Sequence, residues 1–191
     1  SGLGSVGLLS VQILLANGCR VIGIDFNADR CDLAKSFGAE VVNLSNGEDP
    51  ESFVNKFTNS NGVDGIIIAA SSSSDEIIHS AANMCRKRAR IILVGVVGLN
   101  LRRDDFFEKE ITFQVSFSYG PGRNEKTYEE NGIDYPIGFV RWTEQRNFEA
   151  VLNLMSLGKL NVKPLITNTF SIKEAVGAFE TILDANTSSI G

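Results

Sequence analysis

The first seven residues hold three glycines at a spacing that suits phosphate chemistry. Gly2, Gly4 and Gly7 form Gly-x-Gly-x-x-Gly, with Leu3, Ser5 and Val6 between them. From Ser5 to Asn17 the apolar residues Val6, Leu9, Ile13 and Leu14 recur three or four apart, which predicts a helix starting inside the motif. Gly18 is placed to end it. A short β-rich run, Arg20 to Asp25, follows and closes on an acid 21 residues after Gly4, as a dinucleotide-binding unit requires. Gly2 would permit the tight turn, Gly4 would let a pyrophosphate approach the backbone, and Gly7 would let the helix pack close to a sheet. The helix start, Ser5 and Val6 included, would offer its N–H groups and positive dipole end to the phosphates. Asp25 could accept hydrogen bonds from both hydroxyls of an adenosine ribose. The competing reading is a structural glycine turn, with Asp25 capping the next helix.

Asp25 also bears on cofactor choice. A 2′-phosphate would sit against its carboxylate, and like charges that close are costly. Phe26 and Asn27, which follow it at the adenosine end, are neutral. NAD is therefore expected rather than NADP. Arg30, one turn into the next helix, is placed to reach a ribose hydroxyl or to remain a surface cation.

The elements around this motif alternate. Strands are expected at Arg20 to Asp25, Glu40 to Leu44, Asp64 to Ala70, Ala89 to Val96 and Ile111 to Ser116. Helices are expected at Ala28 to Phe37, Pro50 to Thr58 and Ser74 to Met84. Several strands are apolar on both faces, which places them in a parallel sheet covered by helices, so the expected class is α/β, a Rossmann-like doubly wound sheet. Ligands in such sheets bind beyond the carboxyl ends of the strands. That selects Ala69, Ala70 and Ser71, then Gly95 and Val96, then Ser116 to Tyr119, where small residues leave room for the nicotinamide half.

Residues 119–140 break the alternation. They hold Pro121 and Pro136 with four glycines, and read as a long irregular loop, functional or merely inserted. Thr143 to Leu157 reads as a helix, and so does Ser171 to Leu183, which opens with a capping box of Ser171 and Glu174. The expected organisation is a cofactor domain over 1–120, a loop or insertion over 121–142, and C-terminal helices over 143–191.

Composition sets the outer limits. The chain has 191 residues, 43% hydrophobic and 21% charged, with net charge −5 and pI near 5.0, which describes a globular protein and argues against a nucleic-acid binder. The longest apolar runs fall far short of the ~20 residues of a membrane span. Cys19, Cys31 and Cys85 are odd in number and lack Cys-x-x-Cys spacing, so they read as free thiols of a reducing, cytoplasmic compartment. Arg86-Lys87-Arg88 reads as a solvated helix end. Asp104, Asp105 and Glu108 around Phe106 and Phe107 read as a helical turn over the sheet, and Trp142, beside Arg141, as packed under the loop or else stacked on a ligand.

These residues, in this order, resemble the cofactor domain of the zinc-type, medium-chain alcohol dehydrogenase superfamily. The matching stretches are Gly-Leu-Gly-Ser-Val-Gly-Leu, Val-Ile-Gly-Ile-Asp, Leu-Ala-Lys-Ser-Phe-Gly-Ala-Glu, Arg-Ile-Ile-Leu-Val-Gly-Val, Lys-Glu-Ile-Thr-Phe and Gly-Lys-Leu-Asn-Val-Lys-Pro-Leu-Ile-Thr. The resemblance implies that Gly2, Gly4, Ser5, Val6 and Gly7 hold the pyrophosphate, and Asp25 and Arg30 the adenosine ribose. It implies that Val94 and Val96 flank the nicotinamide, and that Ser116 and Ser118 line its carboxamide side. Residues 118–123, 128–138 and 140–144 are similar to a narrower subgroup. These are bacterial bi-domain oxidoreductases, with an alcohol-dehydrogenase-like half fused to a glucose–fructose-oxidoreductase-like half and associated with cell-surface sugar metabolism.

The departures are as informative. The family's catalytic zinc lies mostly in an N-terminal barrel-like domain, which this sequence lacks, and neither His79 nor the cysteines show zinc-site spacing. The strand expected ahead of Gly2 is missing and so is a last strand after Ile190, so the sequence reads as a cofactor domain cut at both ends, with Ser1 native or not. Such a domain is expected to be compromised as a monomer, or to form a homo-oligomer that covers the gap. The expected function is hydride transfer between nicotinamide and an alcohol or carbonyl, with a sugar among the substrates, catalytic residues elsewhere and this piece inactive alone. The alternatives are an S-adenosylmethionine-binding sheet and a non-catalytic NAD module.

Overall fold

A computed structural model describes residues 1–183 and 189–191. Helix α1, Ser5–Ala16, stops at Asn17, where Gly18 takes the left-handed conformation (φ 79°). Strand β1, Ile22–Asp25, leads into α2, Ala28–Ser36, and then β2, Glu40–Asn43. Pro50 opens α3, Pro50–Phe57, with the Asp49 side chain accepting the Ser52 N–H; proline serves there because the first helical N–H has no partner to lose. Strand β3, Val63–Ile68, helix α4, Glu76–Met84, strand β4, Cys85–Leu93, the short helix α5, Arg103–Phe107, and strand β5, Thr112–Val115, complete the alternation.

All strand pairings are parallel, as expected, but they form two sheets instead of one. β1 pairs with β2, from Ile22 opposite Glu40 to Asp25 opposite Asn43. β4 lies between β3 and β5 in the second sheet. Among the described residues, backbone hydrogen bonds from Ser1 and Gly2 join the two. The Ser1 amino group donates to Ile67 O at 2.8 Å, Ala69 N donates to Ser1 O at 2.8 Å, and Gly2 N donates to Ile24 O at 2.9 Å. Below that bridge runs a cleft of about 800 Å³, lined by Ile22 and Ile24 on one side and Ile66 and Ile67 on the other.

Helices cover both faces, so the arrangement is doubly wound. α1 and α2 bury Leu3, Leu8, Val11, Cys31 and Ala34 against Val21. α4 buries Ile78, Ala81 and Ala82 against Ile68, Ile91 and Leu93. α3 contributes Val54 to a smaller cluster with Ile24, Val42 and Met84.

One expectation needs correction in this half and one is borne out. The basic run Arg86-Lys87-Arg88 does not end a helix: it lies in the first half of β4, where Arg86 pairs with Asp64 at 2.7 Å. Its polarity is tolerated because that end of the strand is exposed. The α5 turn does cover the sheet, but through Phe106 against Phe113 at 6.1 Å, while Phe107 stays exposed.

Residues 119–142 are less irregular than the prolines and glycines suggest. They include a short helix, α6, Lys126–Glu129, and are tied down by side chains. Tyr128 donates its hydroxyl to the fully buried Thr143 (3.1 Å) and accepts the Gln145 N–H. Arg146 donates to the Asp134 carboxylate and to the carbonyls of Tyr135 and Val140. Tyr135 donates to Glu125, and that bond to a carboxylate holds the phenol above its usual pKa.

Helix α7, Glu144–Ser156, follows. The chain returns to α1 where Asn161 and the buried Gln12 exchange two hydrogen bonds. Ser171 and Glu174 form the expected capping box, but it opens a 3-10 turn before α8, Ala175–Leu183. The apolar faces read in the sequence (Phe148 and Leu152 on α7; Val176, Phe179 and Ile182 on α8) are exposed. Within the 143–191 unit, residues 184–188 lie outside the described residues. At Ile190 the described chain forms no strand, and instead Ile190 N donates to Thr167 Oγ1 at 3.1 Å.

Candidate functional site

Parallel pairing puts the carboxyl ends of the strands along one rim, and the sequence-selected residues gather there. The glycine turn sits between β1 and β3. A Cβ on Gly2, itself at φ 87°, would lie 2.6 Å from Ala70 N, and one on Gly7 would run into the Gly2 carbonyl oxygen. Both positions therefore accept only glycine without movement. Gly4 differs, since a Cβ there would meet nothing within 4 Å, so the space above it is open. Gly4 is also the N-cap of α1, which has no side-chain cap and no acid in its first turn. Ser5 and Val6 are exposed at that helix start. An uncapped helix start facing open space has the chemistry of an anion site.

Asp25 holds the turn in place. One carboxylate oxygen accepts Leu3 N at 2.6 Å and the other accepts Asn27 N at 2.9 Å. The competing reading made this carboxylate the cap of the next helix, and that cap is a different residue. Asn27 is the N-cap of α2, its side chain accepting Arg30 N at 3.0 Å. A carboxylate has about four acceptor positions, so two hydroxyls can still be received. Arg30 adds a second pointer: its Nε is buried without a hydrogen-bond partner. Phe26 is 67% exposed at this end.

The other half of the rim is knitted by backbone. Val94 N and Gly95 N both donate to Ile68 O at 2.9 Å, Val96 N donates to Ala70 O at 3.1 Å, and Ser116 N donates to Leu93 O at 2.8 Å. Gly95 has no room for a Cβ, which would strike Ala70 O. Val96 projects outward, 73% exposed, and Ser116 and Ser118 are exposed beyond β5. Ala69, Ala70, Val94, Gly95, Val96 and Ser116 thus share one rim, with Gly2 packed against Ala70 at its centre.

The rim carries no residue poised for acid, base or nucleophilic work. His79 lies on α4, with Nδ1 2.9 Å from the Asp105 carboxylate. Cys19 is exposed, whereas Cys31 and Cys85 are buried, and burial raises both thiols, Cys85 to about 11. Among the described residues no group of three or more His, Cys, Asp or Glu could hold a metal, so the zinc implied by the family resemblance does not fit the residues present. No described helix is long and apolar enough to cross a membrane.

Sequence reasoning missed Arg123 and Asn147, which with Tyr119 and Trp142 wall a pocket of about 740 Å³ beyond β5. Trp142 is 51% exposed in that wall instead of packed under the loop, and the Arg141 guanidinium lies 4.1 Å from its ring centroid. The only signal available was the unusual density of aromatic and glycine residues between 117 and 142.

Comparison with known proteins agrees with this fold. The sequence pattern of zinc-binding dehydrogenases matches residues 5–133. D-arabitol-phosphate dehydrogenase of Enterococcus avium is 27% identical over 190 residues, covering 97% of this chain and 47% of that one. D-guloside 3-dehydrogenase of Escherichia coli K12 is 30% identical over 171 residues, covering 86% and 44%. A short-chain alcohol dehydrogenase of Escherichia coli CFT073, solved with NADH, superposes with a TM-score of 0.72 at 25% identity, covering 98% and 49%. The chain spans about half the length of the curated relatives it matches. With the family pattern lying across the glycine turn's helix, all five strands and part of the segment beyond them, this chain belongs to the zinc-binding dehydrogenase family, within the medium-chain alcohol dehydrogenase superfamily.

Proposed function

We propose that this chain is the NAD-binding part of an oxidoreductase that moves hydride between nicotinamide and an alcohol or carbonyl carbon, with sugars as the substrate class. The observation that carries the reading is the uncapped start of α1 above Gly4, locked beside Asp25 by the bond from Leu3 N. Gly2, Gly4, Ser5, Val6 and Gly7 would hold the pyrophosphate. Asp25 and Arg30 would hold the adenosine ribose, beside Phe26 and Asn27. Ala69, Ala70, Val94, Gly95, Val96, Ser116 and Ser118 would line the nicotinamide half. The dinucleotide supplies the hydride chemistry, and this chain's residues bind and orient it. Zinc and the catalytic side chains belong to a part of the protein outside this chain, which alone would be inactive.

NAD is preferred to NADP because a 2′-phosphate would meet the Asp25 carboxylate with only neutral Phe26 and Asn27 beside it. The names of the relatives support the activity. The organisation into 1–120, 121–142 and 143–191 and a cytoplasmic, homo-oligomeric protein are parts of the same reading. So is membership of the bi-domain subgroup, which rests on residues 118–123, 128–138 and 140–144.

Calorimetric titration with NAD⁺, NADP⁺ and S-adenosylmethionine tests it, with circular dichroism to follow folding. NAD⁺ is expected to bind at least ~10-fold more tightly than NADP⁺, one like-charge contact being worth a kcal/mol or more. Asp25→Ala is expected to abolish that preference. Binding of S-adenosylmethionine without NAD⁺ would sink the proposal.

A further inference from the structure

Four asparagines in this chain are followed directly by glycine: Asn17, Asn46, Asn61 and Asn131. An asparagine so placed can lose its side-chain amide without an enzyme. The backbone nitrogen of the next residue attacks the side-chain carbonyl carbon, and a glycine, having no side chain, leaves that path open. The attack requires the glycine N–H to give up its proton, so a hydrogen bond made by that N–H opposes it.

The structure sorts the four pairs on this point. All four glycines take the left-handed conformation, with φ 79° at Gly18, 75° at Gly47, 82° at Gly62 and 68° at Gly132, so backbone shape does not separate them. The glycine amide does. Gly18 N donates to Leu15 O at 2.9 Å, and Gly47 N donates to Leu44 O at 3.1 Å. Gly62 N donates to Thr58 Oγ1 at 3.0 Å, and a Cβ there would lie 2.6 Å from Arg86 N, so this turn is also packed against β4. Two of the asparagine side chains are engaged as well: Asn17 donates to Ile13 O at 2.7 Å and Asn61 to Thr58 O at 3.0 Å. Among the described residues, Gly132 N meets no acceptor and the Asn131 side chain has no hydrogen-bond partner. Both residues are exposed. A Cβ on Gly132 would meet nothing within 4 Å, so there is room for a ring to close.

We propose that Asn131 is a site of spontaneous deamidation, selected from the four pairs by the folded structure. The Gly132 nitrogen bonds to the side-chain carbonyl carbon of Asn131. The bond from that carbon to the amide nitrogen breaks, and the amide leaves as ammonia with the proton that Gly132 gave up. The product is a cyclic imide. Water then opens it at either carbonyl, giving an aspartate or an isoaspartyl link, and nothing is oxidised or reduced. The new carboxylate enters a run that already holds Glu129, Glu130 and Asp134. The isoaspartyl form also lengthens the backbone by a methylene between α6 and Ile133, whose N–H bonds to Thr127 O at 3.0 Å across that link. Conversion therefore loosens the turn after α6.

Peptide mapping by mass spectrometry follows the four asparagines while the folded chain ages in mildly alkaline buffer. Asn131 is expected to convert at least ~10-fold faster than Asn17, Asn46 and Asn61, since a hydrogen bond must open first at each of those. In urea, where those bonds are gone, the four rates are expected to converge. Thr58→Val removes the acceptor of Gly62 N and keeps the branched shape. It is expected to speed conversion at Asn61 and leave Asn131 unchanged. Equal rates in the folded chain overturn the proposal, as does faster conversion at any of the other three asparagines. A lead for Asn131 that persists undiminished in urea overturns it too, because the neighbouring sequence and not the fold is then the cause. So does an Asn61 rate that fails to rise in a Thr58→Val chain shown by circular dichroism to be folded. In the converted fraction the Ile133 amide is expected to exchange with solvent faster, and an unchanged rate overturns the loosening of the turn.

Discussion

Each oxygen of the Asp25 carboxylate already has a backbone partner, so this residue has two separable duties. It positions the glycine turn through Leu3 N, and it would discriminate between cofactors through its charge. Asp25→Asn keeps an acceptor for Leu3 and removes the charge. It is expected to cost under ~1.5 kcal/mol of stability, about the net worth of one hydrogen bond, while cutting the NAD⁺ preference sharply. Urea unfolding and calorimetry on the same variant separate the two effects. Gly7→Ala should behave in the opposite way. Its Cβ would collide with the Gly2 carbonyl, and overpacking of that kind costs about 1–3 kcal/mol, which for a chain of this size lowers Tm by roughly 2–12 °C. The three glycines and the acid were legible in the sequence because their spacing alone carries the argument. The engagement of Asp25 by Leu3 and Asn27 was not, because it depends on how tightly the turn folds back over the end of β1.

At the scale of elements, helix ends were the most readable feature. Gly18 and Gly38 both take the positive φ that a helix stop calls for, and Pro50 and Asp49 open α3 as their types suggest. Strand ends were less readable, and β4 starts on four residues, Cys85 to Arg88, whose charges masked it. The 119–142 segment was opaque because its order comes from side chains within it and just beyond it, above all Arg146, whose guanidinium is mostly shielded and meets a carboxylate and two carbonyls. Arg146→Ala should release it, since bonds to charged groups contribute about 1.5–3 kcal/mol. The amides of Phe139 and Val140, both bonded to Pro136 O, are expected to exchange with solvent at least ~10-fold faster while those of β4 do not change. The apolar faces of α7 and α8 were legible as faces, and both are exposed. Periodicity reveals that a helix has an apolar side, not that its partner is in the same 191 residues.

For the whole molecule, alternation of helices and strands predicted a parallel sheet with helices on both sides, and that is what forms. The division into two sheets falls between β1 and β3, where the strand expected ahead of Gly2 was read as missing. The strand-wide cleft has one more consequence, for cooperativity. With few backbone bonds joining β1–β2 to β3–β4–β5, the halves are held mainly by the small cluster of Ile24, Val42, Val54 and Met84 and can open one at a time. Heat should unfold the chain in two overlapping steps, with a van't Hoff enthalpy below the calorimetric one, and the β1–β2 half, with the smaller sheet, should open first.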